Sequence, residues 1–450
     1  MTDRTGVTRN KGRAWGGLIL GLLMMGIPAI VGAQDVAAEP PPPTIDSGDT
    51  AWMLTSTALV LLMTPALAFF YGGLVRSKNV LNTMMMSFIA LGFVSVLWAL
   101  FGYSLAFGAG SPYIGDTSAF FMKGISLEPG VLATIPGVLF VAFQGTFAII
   151  TAALISGAIV ERMRFKAYLL FICLWTLVIY SPMAHMVWGG GWLFQMGGLD
   201  FAGGTVVHII AAVAAAVAVI CVGRRSDYKQ SGLLPHNVPF VLLGSGLLWF
   251  GWFGFNAGSA GAANGIAGLG FATTMFAPAG TVVVWTLLDL MRLGKVTAVG
   301  SATAIVVGLV AVTPAAGLIS PMNAIILGAI AAVPSYFMLL WRANSGFDDS
   351  LDVVAAHGIG GTVGALLTGV FADASLNGGL GNGALYGNPG QIGTQVVAIL
   401  TAIVFSGVGS FILLKIVGLI TPLRADAEAE AEGLDQTQHG EEGYIHASGN

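Results

Sequence analysis

Asp200-Phe201-Ala202-Gly203-Gly204-Thr205-Val206-Val207-His208 leads into one apolar stretch, and Asp349-Ser350-Leu351-Asp352-Val353-Val354-Ala355-Ala356-His357 leads into another. In both, a histidine follows an aspartate by eight positions. Eight helical residues rise about 12 Å, and half of a hydrocarbon core about 30 Å thick is about 15 Å, so each histidine reaches nearly to the middle of a bilayer. If the two stretches cross in opposite directions, the imidazoles can meet. A lone intramembrane histidine serves as readily as a core residue bonded to a neighbouring helix. A symmetric pair argues instead for a shared interior path, because ionisable side chains at that depth are costly and normally face a path or a partner.

The rest of the chain sets these stretches in a membrane. Of 450 residues, 56% are hydrophobic and 9% charged, against about 25% charged in a soluble domain. Neither a disordered chain nor a water-soluble one fits. The net charge of −4, with basic residues thinly spread, leaves no footprint for nucleic acid. Eleven apolar segments occupy roughly 51–75, 80–107, 131–160, 167–189, 201–222, 238–261, 265–290, 297–319, 321–341, 353–372 and 394–421. Arg76, Lys78, Arg162, Arg164, Lys166, Arg224, Arg225, Lys229, Arg292, Lys295, Arg342 and Arg424 fall on alternate connections or the tail, with Lys415 near the end of the last segment and Lys123 on the opposite set. Positive loops stay inside, so the mature N-terminus is expected outside and the C-terminus in the cytoplasm. The fifth segment then enters from outside and the tenth from inside. The expected fold is an all-α polytopic membrane protein, with eleven transmembrane helices in a five-plus-five inverted repeat and one extra helix, after a cleavable signal peptide.

Residues 1–33 have the layout of that signal: Arg4, Arg9, Lys11 and Arg13, an apolar run from Trp15 to Ile30, then Val31-Gly32-Ala33. A twelfth, uncleaved helix is the alternative. Residues 34–50 read as a polar periplasmic or extracellular leader, 51–421 as the helical domain and 422–450 as an acidic cytoplasmic tail, which composition alone makes solvated. Cys173 and Cys221 lie in apolar runs and read as small core hydrophobes rather than a disulfide or metal framework. No metal or cofactor is expected. An enzyme is disfavoured: there is no P-loop or His-Glu-x-x-His, and the Gly379-x-Gly381-x-x-Ala384 echo of a dinucleotide loop sits in an external loop. A neutral-solute channel of the aquaporin type would need two Asn-Pro-Ala half-helices, and the one Asn-Pro is Asn388-Pro389-Gly390.

Aromatic residues cluster at the expected outer ends. Phe143 and Phe147 share a face of the third helix, Trp188 ends the fourth, and Phe255 and Ser259 share a face at the end of the sixth. Singly, each suits an interfacial belt or packing. The strings FQGTFA (143–148), HMVWGGGW (185–192), LDFAGGTVVH (199–208), GWFGFNAGSA (251–260), VTPAAG (312–317) and the late Val353-x-x-x-His357-Gly358-Ile359-Gly360-Gly361 closely resemble the ammonium transporter family (Amt/Mep/Rh), specifically its bacterial Amt branch. The resemblance runs from about Asp49 to the tail.

That resemblance implies a homotrimer in the inner membrane with one pore per subunit. It implies an ammonium site at Phe147, Trp188, Phe255 and Ser259, with Phe147 and Phe255 as the pore gate. His208 and His357 match twin lumen histidines for pore lining and proton relay. Asp200 matches an acidic residue just below the outer site, and Phe143, Gln144, Trp252 and Thr313 match residues of the vestibule and upper lumen. Asp200 also suits a helix cap, so a mixed structural and electrostatic role is expected for it. Glu432-Gly433-Leu434-Asp435, His439-Gly440-Glu441 and Tyr444 resemble the family's ordered tail, which packs under a neighbouring subunit and helps dock PII signalling proteins. The implied activity is ammonium transport by deprotonation and passage of ammonia, with or without separate proton transfer. The alternative is an ammonium sensor on the same fold. Members of that kind usually append a signalling domain, for which about thirty tail residues are expected to be too few.

Overall fold

The computed structural model describes residues 44–229 and 234–444. The expected signal segment, most of the leader and the last six tail residues lie outside this range. Among the described residues the fold is all-helical, and eleven helices are long and apolar enough to span a membrane: α1 Ser47–Leu74, α2 Ser77–Phe107, α3 Gly137–Ala158, α4 Phe165–Gln195, α5 Gly204–Val222, α6 Val238–Gly258, α7 Gly265–Leu293, α8 Ala298–Ala315, α9 Pro321–Asn344, α10 Val354–Phe371 and α11 Gly390–Ile420. Two short tail helices follow, α12 Ala427–Glu432 and α13 Leu434–His439.

Local chemistry sets the starts. The side chains of Asp46, Asn237, Asn264, Thr297 and Ser320 each accept a backbone N–H of the first turn, satisfying a donor that the helix itself cannot. Asp46 therefore starts α1 at Ser47, so the end of the presumed leader is already helix. Conversely, the third span begins at Gly137 rather than 131. Pro136 precedes it, and Gly137 N–H bonds back to Glu128 O at 2.9 Å, folding 126–136 into a surface turn.

α1–α5 and α6–α10 make the same neighbour pattern, each first helix against its second and third, and each second against its third and fourth. α1 lies against α6 across the repeat axis, and α11 covers α4, α5 and α10. The α1–α6 crossing is close because α6 presents glycine. A Cβ on Gly244 would meet Phe70 N at 2.4 Å, and one on Gly254 would meet Leu59 Cβ at 2.6 Å. Outward-facing Phe250, Val283 and Val404 are exposed, as a lipid solvent requires. Cys173 and Cys221 are free and partly buried, with Cys221 packed against the edge of the core rather than within it, because a helix apolar all round does not reveal which face is inward.

At the end of the bundle opposite Trp188, termed lower here, a buried ion network joins the connections. Glu161 bonds Arg76 at 3.0 Å and Arg225 at 2.8 Å, Arg225 bonds Asp348 at 2.6 Å, and Arg76 also pairs with Asp227. Arg162 donates to the carbonyls of Gly223 (2.7 Å) and Asp348 (2.6 Å). Burial alone would raise the Glu161 carboxyl, but the Arg76 bond and the charges of Arg225 and Arg76 hold it down at about 2. Composition did not reveal that two of the topology-marking arginines, Arg162 and Arg225, are buried.

The tail docks on its own chain through buried Glu430, Leu434 and Asp435, while residues 440–444 stay exposed. Asp435 accepts the Leu81 and Asn82 N–H groups at 3.0 and 2.7 Å, Leu434 N–H reaches Asn79 Oδ1 at 2.8 Å, and Glu430 bonds Ser226 Oγ at 2.6 Å and Arg424 Nε at 2.5 Å.

Candidate functional site

α5 and α10 do not begin as regular α-helix. Gly204–Ile209 and Val354–Ile359 are π-helical turns, and each contains its histidine. Such wide turns are rare and concentrate at functional sites. Asp200 organises the first. Its Oδ1 accepts the N–H groups of Gly203 (2.8 Å) and Gly204 (2.6 Å), and its Oδ2 accepts the Thr205 N–H (2.7 Å) and hydroxyl. Gly203 sits at φ 120 and packs against Val207 and Trp188, a conformation and a closeness that a side chain would spoil. The carboxylate thus turns into the helix start instead of lining the cavity beside Phe147. Its carbonyl is used as well, accepting the Trp188 indole N–H at 2.8 Å.

Three cavities lie in series. The upper one, about 190 Å³, is lined by Phe143, Gln144, Phe147, Trp188 and Ser259 among others. Phe147 stands edge-on to Trp188 (ring centroids 6.1 Å apart, planes at 90°) and stacks on Phe255 at 4.1 Å and 29°. Below Phe255 the lumen offers only about 10 Å³, between Met63, Leu67, Ile150, Val207, Leu248, Trp252, Val306 and the two histidines. That is room for about one water molecule at most. His357 also lines the lower cavity, about 480 Å³, with Tyr71, Arg225, Asp289, Arg342 and Asp352.

The imidazoles meet: His208 Nδ1 and His357 Nδ1 are 3.2 Å apart. His208 stacks on Trp252 (5.5 Å, 26°), and the Trp252 indole N–H donates to Thr313 Oγ1 at 2.9 Å. The structure therefore gathers ten of the eleven candidate residues along one axis: five around the upper cavity, four at the lumen, and Thr313 fully buried behind it. Asp200 is beside the axis, on a separate upper cavity of about 370 Å³ that it shares with Trp188 and Ser259. Two elements went unread in the sequence: the π turns, which carry no propensity signal, and His185, whose ring nitrogens face Ala106 O (3.0 Å) and Ser111 O (2.7 Å) and tie α4 to the end of α2 and the loop that follows it.

A profile of the Ammonium Transporter Family matches residues 51–444. The chain is 48% identical to an ammonium transporter of Bacillus subtilis (strain 168), over 88% of this chain and 98% of that protein. It is 46% identical to one of Aquifex aeolicus (strain VF5), over 89% and 94%. Its fold superposes on Mep2 of Candida albicans with a TM-score of 0.81 at 33% identity, covering 85% of this chain and 87% of that one. A protein named Sensor Amt Protein matches with a TM-score of 0.81 at 28% identity, covering 87% and 98%. A profile spanning the whole helical bundle and a relative matched over nearly its full length show that this chain belongs to the ammonium transporter family of multi-pass membrane proteins.

Proposed function

We propose that the protein takes up ammonium at the upper cavity, where the ion gives its proton to water, and passes ammonia down the lumen, the proton either staying on the upper side or being relayed separately past His208 and His357. The observation that carries this reading is the stacked Phe147–Phe255 pair, closing a polar-edged cavity off from a lumen whose polar lining groups are the two histidines and the Trp252 indole. A bare cation in so narrow and apolar a passage would lose many kcal/mol of hydration. Ammonium escapes that barrier by losing a proton, a step that desolvation favours, whereas potassium and sodium have none to lose.

The upper cavity suits the preceding capture. Cation–π attraction to Trp188 and Phe147 is worth about 0.5–2 kcal/mol per well-placed ring. The Ser259 hydroxyl hydrogen is committed to Phe255 O at 2.8 Å, so its oxygen is free to accept a hydrogen from ammonium, which potassium cannot supply. Asp200 contributes mainly by holding the π turn and the Trp188 indole, with its negative charge as background attraction.

The upper end faces the outside and the tail the cytoplasm, in the inner membrane, after removal of residues 1–33. The working unit is a homotrimer, and the ordered tail is a dock for a PII protein. The likeness to a Sensor Amt Protein favours a second reading, in which the same pore reports ammonium instead of moving it.

The test is a solid-supported membrane carrying the reconstituted protein, given an ammonium pulse and a potassium pulse. A saturable current specific to ammonium supports charge-coupled transport, and faster alkalinisation of vesicles without current supports an ammonia channel. Absence of both would reject transport in favour of the sensor.

A further inference from the structure

Thr313, in the last turn of α8, has three polar groups around its hydroxyl oxygen: Leu309 O at 2.8 Å, Trp252 Nε1 at 2.9 Å and His208 Nε2 at 3.4 Å. A hydroxyl has one hydrogen and two lone pairs. The Leu309 carbonyl can only accept, so it takes the hydrogen. Thr313's backbone N–H is given to Val310 O, which leaves Leu309 O to the hydroxyl. The indole N–H can only donate, so it occupies one lone pair. What remains for His208 is the second lone pair, and its Nε2 must bring the hydrogen. The opposite arrangement would turn the hydroxyl from a contact of 2.8 Å to one of 3.4 Å, which distance disfavours.

The consequence passes along the pair. A neutral imidazole protonated at Nε2 has a bare Nδ1. Across the 3.2 Å contact, His357 Nδ1 must then be the donor, and His357 Nε2 is left bare. We infer that Thr313 is a positioning residue that fixes both tautomers: His208 carries its hydrogen on Nε2, His357 carries its own on Nδ1, and the bare nitrogen that the pair offers is Nε2 of His357. The Trp252 ring, stacked on His208, holds the imidazole plane in which this bonding is possible. Building on ammonia passage through the lumen, the pair is polarised, with a donor end at His208 and an acceptor end at His357.

The test is solid-state NMR of the full-length protein, labelled with 15N-histidine, in lipid vesicles without ammonium. A 15N–15N correlation across the short Nδ1 contact picks out the pair, and His208→Asn and His357→Asn assign its members by loss of signal. Protonated Nε2 on His208 with protonated Nδ1 on His357 is the expected result. Thr313→Val, similar in shape but without the hydroxyl, should divide His208 between tautomers, and Thr313→Ser should restore the wild-type pattern. Maximal ammonium current in Thr313→Val should fall roughly fivefold with half-saturation unchanged, the effect of losing one ordinary hydrogen bond behind the lumen. A bare Nε2 on His208 in the wild type, or an unaltered His208 spectrum in Thr313→Val, overturns the inference. Because the spectra are read without substrate, a wild type with the expected tautomers and no transport would overturn the proposed function alone.

Discussion

Asp200 and Asp349 occupy equivalent places in the two inverted halves, yet Asp200 accepts three N–H groups and a hydroxyl within 2.8 Å while Asp349 accepts only the Val354 N–H, at 2.7 Å. Asp349 Oδ1 is buried and has no hydrogen-bond partner among the described residues. The repeat conserves the position but not the chemistry. Burial first, and then the charge of Asp352, push the Asp349 carboxyl up to about 7 from an ordinary 3.8.

The sign of the resulting pH dependence follows. Between about pH 4 and 7 the folded protein holds a proton on Asp349 that the unfolded chain has released, so stability falls as pH rises through this window and levels off above it. Asp349→Asn, neutral throughout, should remove its share of that slope, leaving the part due to Asp352 and Asp435, whose carboxyls burial also raises. Thermal unfolding of both proteins in detergent from pH 4 to 8 checks this, and parallel curves would count against it.

Trp188 presents its ring to the upper cavity and its N–H to Asp200 O. Trp188→Leu deletes the ring face and should weaken half-saturation for ammonium by about 2- to 30-fold, the equivalent of about 0.5–2 kcal/mol of cation–π attraction. Trp188→Phe keeps a ring and should fall between. Identical saturation curves for all three proteins would remove this residue from the site.

Phe255 is fully buried and stacked on Phe147. Phe255→Leu keeps the site apolar but leaves a gap in the stack. Water can then reach the lumen, lowering the barrier to ions that cannot deprotonate. Potassium pulses, expected to be silent in the wild type, should give a measurable current, while ammonium current persists. If the variant excludes potassium as the wild type does, the barrier lies elsewhere.

The lower ion network is a stability device with a clear failure mode. Glu161→Gln leaves Arg225 and Arg76 without a carboxylate that both now share. Breaking a buried pair from one side typically costs about 3–5 kcal/mol when the charge is left alone; the loss here is smaller, because Arg225 keeps Asp348 and Arg76 keeps Asp227. The thermal midpoint should drop by several degrees at neutral pH, with no change in half-saturation at the distant upper cavity. A shift within error would mean that water reaches these arginines.

What could be read in advance was what repeats or is local. The Asp-to-His spacing, set against helix rise and bilayer thickness, put His208 and His357 at matching depth, and the spans fell within a few residues of their helices. What escaped depends on partners distant in sequence. Arg162 and Arg225 look like ordinary loop charges until Asp348 arrives from another connection. The π turns at Gly204–Ile209 and Val354–Ile359 reflect a backbone hydrogen-bond register, which composition does not encode. The tail's Ala and Glu alone suggested a solvated coil; the resemblance of Glu432–Asp435 to an ordered tail implied order, but not that Leu434 and Asp435 meet the start of α2 of their own chain.

That last contact gives a direct test. The Asp435 carboxylate caps the first turn of α2 from more than three hundred residues away in sequence, bonding the N–H groups of Leu81 and Asn82. Loss of a cap costs about 0.5–2 kcal/mol, so Asp435→Ala should raise the population of undocked tail by about 2- to 30-fold. Arg424, which docking pairs with Glu430, becomes a trypsin site when the tail lifts. When opening is fast relative to cutting, cleavage follows the open population, and the rate should rise by that same factor. Asn82→Ala keeps both backbone donors and removes only its side-chain contact with His439 in the tail (3.1 Å), so its cleavage should rise by less than that of Asp435→Ala. Equal cleavage of the wild type and Asp435→Ala would show that Leu434 and Glu430 hold the tail without the cap.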